Sequence, residues 1–441
     1  MRKMKDSGIE WIGEIPEDWN LLTIKKCIST RDSGAWGKEP NNSKNDIICI
    51  RVADFDYSHL SIKRKSHLTI RNFDTKTIKK LSLETGNILI EKSGGGEKTP
   101  VGRAVIFEEP YHAIFSNFIE RLKINKNFSE KFFLYLWTVI YLTNYTHIYI
   151  KQTTGIQNLD ITALLSNTQF PLPDLTNQIR IANFLDEKCA LIDRLVERHQ
   201  EVIEKLKAYR QSVISEAVTR GLDLDAPMKD SGIPWIGKIP KEWEIIPLKF
   251  LASHNDDVLS ENTPDDLEFD YIDISSVQYG SGVINKQHIT FGNAPSRARR
   301  IVRNNDVIIS TVRTYLKAVA IIPAVSELTV ASTGFACLRT NEKISPKFLY
   351  YSVLSDAFVS TVEAYSVGIS YPAINASQLV CLKLILPSIE EQSQIADYLD
   401  KKCAKIDRII HNKEQIISKL AEYKKSIIYE YVTGKKEVPA S

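Results

Sequence analysis

At 441 residues, 43% of them hydrophobic and 25% charged, the chain has an ordinary globular composition of roughly two to four domains, which excludes intrinsic disorder. A formal net charge of +3 excludes a strong global field, so any hold on nucleic acid must come from local patches. No run of about eighteen apolar residues occurs and no apolar segment follows the charged start Met1-Arg2-Lys3-Met4-Lys5-Asp6, so neither membrane insertion nor export is expected, and the cytoplasm is the expected compartment.

The chain opens with Trp11-Ile12-Gly13-Glu14-Ile15-Pro16-Glu17-Asp18-Trp19, and the same pattern returns at Trp235 to Trp243. Glycine and proline punctuate this segment as turns, and its tryptophans bring apolar area to anchor it, on the long helices or the sheet that follows. Next come about 150 residues in each half whose match is patchier. Ile47 to Val52, Ile88 to Ile90, Val307 to Val312 and Val319 to Ile322 predict strands; Phe128 to Leu142 and Pro346 to Val359 predict helices. A framework that repeats while its loops change chemistry suits two copies of one binding scaffold reading different ligands.

Each half closes on a long apolar-striped segment. At a constant shift of 214 residues, Phe184-Leu185-Asp186 meets Tyr398-Leu399-Asp400 and Lys188-Cys189-Ala190 meets Lys402-Cys403-Ala404. Ile181, Leu185, Ile192, Leu195, Val202, Leu206, Tyr209 and Val213 carry a seven-residue period, copied from Ile395 to Ile427, so each segment is a long helix that needs a partner. Ser388 with Glu391 forms a capping box, Asp174 takes its place in the first copy, and Gly221 and Gly434 supply the ends. The predicted architecture is therefore α+β: a domain over 1–173, a helical region over 174–221, a second domain over 222–387 and a second helical region over 388–441. Head-to-tail duplication favours an antiparallel coiled coil about a pseudo-twofold axis, which sets Ile192 on Tyr423, Leu195 on Leu420 and Leu206 on Ile409. The six cysteines form no Cys-x-x-Cys pair, so free thiols are expected.

Candidate binding residues fall in matched loops. Lys92-Ser93-Gly94-Gly95-Gly96-Glu97-Lys98 fails the Walker pattern, because Glu97 stands before the lysine and Pro100 to Arg103 leads into a strand. It predicts a hairpin tip, where bare backbone approaches a sugar-phosphate chain and Lys92, Ser93, Gly94, Lys98 and Arg103 are the candidate contacts. Its counterpart carries Arg313, Tyr315 and Lys317. The polar loops before the helices offer Lys151, Gln152, Gln157 and Asn158 in one half and Ser370 and Tyr371 in the other, with amides and hydroxyls suited to base edges. Lys63-Arg64-Lys65 and the run with Arg297 and Arg299 are the densest basic patches. Metal spacing, nucleophile elbow, dinucleotide fingerprint and amino-methyltransferase motif are all missing, so no catalytic, metal or cofactor residue is assigned. A stand-alone DNA modification or restriction enzyme with an unrecognised motif is the alternative.

The duplicated Trp-Ile-Gly-x-Ile-Pro-x-x-Trp segments, the Ile50-Arg51-Val52-Ala53-Asp54-Phe55 strand, the Lys92 to Gly96 loop and the two Ile-Ala-x-(Phe/Tyr)-Leu-Asp helices resemble specificity subunits of type I restriction-modification systems across essentially the whole chain. The resemblance implies two target-recognition domains that each read half of a split double-stranded DNA target, joined by an antiparallel coiled coil. It implies no catalysis and no cofactor in this chain. S-adenosylmethionine, ATP and magnesium would belong to partners, two methyltransferase subunits and an endonuclease/translocase subunit. The second half departs from the pattern at the glycine loop.

Overall fold

A computed structural model describes residues 2–63, 68–153, 155–223, 225–233, 236–324, 327–368 and 372–439. The chain forms two compact units, one of Met1–Gln200 with Glu414–Ser441 and one of Glu201–Lys413.

In the first unit Asn87–Glu91 lies inside an antiparallel sheet between Ala104–Phe107 and Ile119–Ile124, with Ile28–Ser33 at the edge. Alternation along this strand sends Ile88 and Ile90 into one apolar cluster and Leu89 into another. A strand covered on both faces reads as an unbroken apolar run, which is why the sequence signal there is a run rather than an alternation. Glu130–Leu142 starts where Ser129 Oγ accepts from Phe132 N at 3.2 Å. It buries Phe132, Phe133, Leu136 and Trp137 in the same cluster as Ile88, Ile181 and Leu185.

The second unit repeats the plan. Val307–Ser310 pairs with Val319–Ile321 and Phe335–Thr340, sending Val307 and Ile309 to one cluster and Ile308 to the other. The helix expected over Pro346 to Val359 is two, Pro346–Leu354 and Asp356–Tyr365. The break is Ser355, whose backbone is extended and whose Oγ caps Phe358 N at 3.4 Å.

The long helices are Leu175–Arg220 and Ile389–Val432. Asp174 Oδ1 accepts from Asn177 N at 2.8 Å, and Ser388 and Glu391 exchange the two bonds of a capping box, at 3.2 and 3.3 Å. In each unit a buried glutamine ties the helix to its domain. Gln178 accepts from Ser129 N at 3.0 Å and Gln392 from Ser345 N at 2.8 Å. About two turns further, Asp186 accepts from Tyr135 and Lys131, both at 2.8 Å, and Asp400 likewise from Tyr351 and Lys347. Neither role shows in the sequence, where these residues look like ordinary polar positions between apolar ones.

Within the first unit the Phe184 and Tyr431 rings lie 4.6 Å apart and Asp193 meets Lys424, so the two helices run antiparallel there. The compact units cut across the four sequential segments, since each contains a piece of both long helices. The expected seam is also narrower than the stripe: Leu195, Tyr209, Ile409 and Tyr423 are 40%, 50%, 45% and 55% exposed. Two paired helices cover only one face of each other, so the outer edge of a wide stripe stays bare. The six cysteines are free, five of them buried.

Candidate nucleic-acid interface

In the first unit two loops that are separate in sequence form one sheet. Ser93–Gly94 pairs with Ile156–Leu159, which pairs in turn with Ile150–Thr153, bringing Ser93 opposite Asn158 and Gly94 opposite Gln157. Ser93 Oγ donates to Asn158 Oδ1 at 2.7 Å, and buried Gln157 accepts from Val101 N at 3.2 Å. The glycines are needed here. Gly95 has φ +61°, and a Cβ would lie 2.8 Å from Val101 N. Gly96 and Thr99 close a tight turn with Glu97 and exposed Lys98 at its tip.

The cations around this sheet differ in what they can offer a ligand. Lys92 Nζ donates to Ser33 Oγ at 2.6 Å and to Glu120 at 3.2 Å, while Arg103 lies 3.1 Å from Glu91 and 3.7 Å over the Tyr57 ring. Burial pushes the Glu91 carboxyl above its usual range and Arg103 opposes that push. Lys151 pairs with Asp160 at 2.9 Å yet is 75% exposed. Lys92 and Arg103 therefore serve the interior, and Lys98 and Lys151 the surface. Beside the sheet opens a cleft of about 510 Å³, rimmed by exposed Trp36 and Phe118 and lined by Arg51, Gly94, Gly95 and Ser116. Ser116 Oγ is buried there without a hydrogen-bond partner among the described residues. Sequence reasoning missed both aromatics. Trp36, standing between Gly34 and Gly37, carried the only signal, a large side chain among small ones.

The second unit makes the same juxtaposition by other means. Val312 bridges to Ala373, and Ile374 N donates to Thr311 O at 2.9 Å, so the loop after Val307–Ser310 again meets the segment before the long helix. Arg313 and Lys317 have left-handed backbone and flank a short turn that exposes Tyr315 and Leu316. Lys317 Nζ is 3.7 Å from Glu363. Arg297 is 55% exposed beside Asp273 at 2.9 Å, and Arg299 stacks 4.6 Å from the Phe291 ring centroid. Ser370, Tyr371, Arg64 and Lys65 lie outside the described residues. Asp270, His288 and Glu327 bring an imidazole and two carboxylates together at the surface. There the hydrogen bond to Asp270 draws the His288 pKa up, as for an imidazolium held among acids.

The family model for the type I restriction modification DNA specificity domain matches residues 16–206 and again 240–421. The chain belongs to this family. Its two matches coincide with the two copies of the repeat, each running from a Trp-Ile-Gly-x-Ile-Pro segment into a long helix. The chain is 26% identical over 433 residues to a Methanocaldococcus jannaschii protein named for the specificity subunit of a type I restriction enzyme, MjaX, covering 96% of this chain and 95% of that one. The MjaVIII specificity subunit of the same organism is 23% identical over 436 residues, covering 96% and 93%. Among solved structures, a chain from a type I restriction-modification complex has a TM-score of 0.69 at 14% identity, covering 96% and 99%. The HsdS subunit of Thermoanaerobacter tengcongensis has 0.50 at 15%, covering 98% and 100%. These likenesses establish the specificity-subunit fold. No helix among the described residues is long and apolar enough to cross a membrane.

Proposed function

We propose that this specificity subunit is a non-catalytic reader of a split double-stranded DNA target, each unit reading one half. In this reading it assembles two methyltransferase subunits and an endonuclease/translocase subunit, which bind S-adenosylmethionine, ATP and magnesium. The observation that carries the reading is the polar ledge made in both units by a loop of the central sheet and the segment before the long helix. It is repeated in position and altered in chemistry, with glycines and amides in one copy and Arg313, Tyr315 and Lys317 in the other. Exposed cations there attract phosphate, and the amides, Trp36, Phe118 and Tyr315 supply base contact and stacking.

The bare apolar positions on the long helices support the assembly part. In the first unit Leu195, Ile416 and Tyr423 are 40%, 38% and 55% exposed, an apolar edge that the pairing of the two helices leaves open to a further chain. Methyltransferase subunits would cover them. Leu195→Glu with Ile416→Glu should leave the melting temperature within a few degrees and abolish co-purification with the methyltransferase. Unchanged co-purification would move that interface elsewhere.

Expressing the subunit with its methyltransferase and sequencing the host methylome tests the whole reading. Two short half-sites with an unread gap are expected. Methyl transfer from labelled S-adenosylmethionine by the purified chain alone would overturn it.

A further inference from the structure

A second device is repeated in both units, away from the polar ledges. In the first unit Lys424 Nζ lies 2.7 Å from both Asp193 oxygens and donates to Ser58 O at 2.6 Å. The side chains of Lys424 and Asp193 are 16% and 15% exposed. In the second unit Arg210 Nη2 donates to Gly280 O at 2.7 Å, and its Nε lies 3.1 Å from Asp407 Oδ1, close enough for an ion pair without the alignment of a hydrogen bond. The shift that superposes the long helices carries Arg210 onto Lys424 and Asp193 onto Asp407. Ser58 and Gly280 sit in equivalent turns, between Phe55–Asp56 and Ser61–Ile62 in one unit and between Val277–Gln278 and Gly282–Val283 in the other.

Each pin thus joins three elements: a cation from one long helix, a carboxylate from the other, and a carbonyl of a recognition domain. The arrangement is crossed. Lys424 belongs to the helix that follows the second domain yet holds the first, and Arg210 follows the first domain yet holds the second. From each pinned turn a contact leads on to the reading loop. Tyr57, next to Ser58, hydrogen-bonds Glu91 at 3.2 Å and stacks under Arg103 at 3.7 Å, at the two feet of the glycine hairpin. Tyr279, next to Gly280, lies 5.8 Å beneath Lys317 Nζ of the other reading loop. An exposed ion pair would add little, but a largely buried cation shared by three elements fixes their mutual geometry.

We propose that Lys424 and Arg210 are crossed positioning residues for sequence reading, each setting the reading loop of the domain that its own helix does not follow. The inference rests on the split-target reading above. Methylome sequencing of the full subunit with its methyltransferase tests it, with exchange of the first domain for that of a specificity subunit of different target identifying the half-site that domain reads. Lys424→Ala should cut discrimination about tenfold at the bases of that half-site and leave the other half intact. Arg210→Ala should do the reverse, and Lys424→Arg and Arg210→Lys should retain both halves. Should Lys424→Ala give no soluble complex, Asp193→Asn, which breaks the same pin, is expected to relax the same half-site. A merely structural role would relax both halves together. Equal loss in both half-sites, or loss in neither, would overturn crossed positioning; a wild-type pattern without a split target would overturn the underlying reading instead.

Discussion

Lys98 and Arg103 are both loop cations in sequence, yet the structure gives them different work. Lys98→Ala should weaken DNA binding and lower the salt slope by about one, as for one lost phosphate contact, with stability unchanged. An unaltered slope in a salt titration would remove Lys98 from the interface. Arg103→Ala should instead cost about 2–3 kcal/mol near pH 7, because Glu91 is left buried without its cation. Without Arg103 the folded-state pKa of Glu91 rises further above its unfolded value. The deficit should therefore be small at pH below the unfolded value, where both states hold the proton, and should grow as pH climbs toward the raised folded one. Urea unfolding at several pH values reads this directly, and a deficit independent of pH would contradict it. That these residues sit on a matched loop was legible from the repeat. Which cation faces outward was not, because Glu91 and Glu120 are acids in strands whose burial is set by distant elements.

At the level of elements, the long helices and their caps were legible because periodicity and capping are local. Their uncovered edges were not, since coverage depends on the partner. The same limit applies to the Trp-Ile-Gly-x-Ile-Pro segments. Each folds into a hairpin, Met4–Asp6 on Glu14–Pro16 and Met228–Asp230 on Lys238–Pro240. Each also packs against the end of the long helix from the other half. Gly434 has φ +75° and a Cβ there would come within 2.5 Å of Pro16 and 3.2 Å of Trp19; Gly221, at φ +79°, would place one 3.1 Å from Trp243. Both the backbone and the space demand glycine. Gly434→Ala should lower stability by about 1–3 kcal/mol, visible as a melting shift of several degrees. Gly434→Ala melting like the wild type would show that the helix end can move off the tryptophan.

Over the whole molecule, the long helices run from one unit into the other, with the boundaries at Gln200 and Lys413. A lengthened spacer must therefore extend both helices. One heptad after Gln200 and another after Lys413 adds about 10 Å of rise, equivalent to roughly three base pairs at about 3.4 Å each. Methylome sequencing should then return the same half-sites with a wider gap; new half-sites with the old gap would show that the helices do not set the spacing. The first unit also takes Ile427, Ile428 and Val432 into its core, from the last stretch of the chain. During translation its first 200 residues emerge early but lack the segment from Glu414 until ribosomes have added the whole second unit. At about 5–20 residues per second that delay is roughly 10 to 40 s, with apolar surface open to chaperones throughout. The half that is made first is the half that finishes folding last.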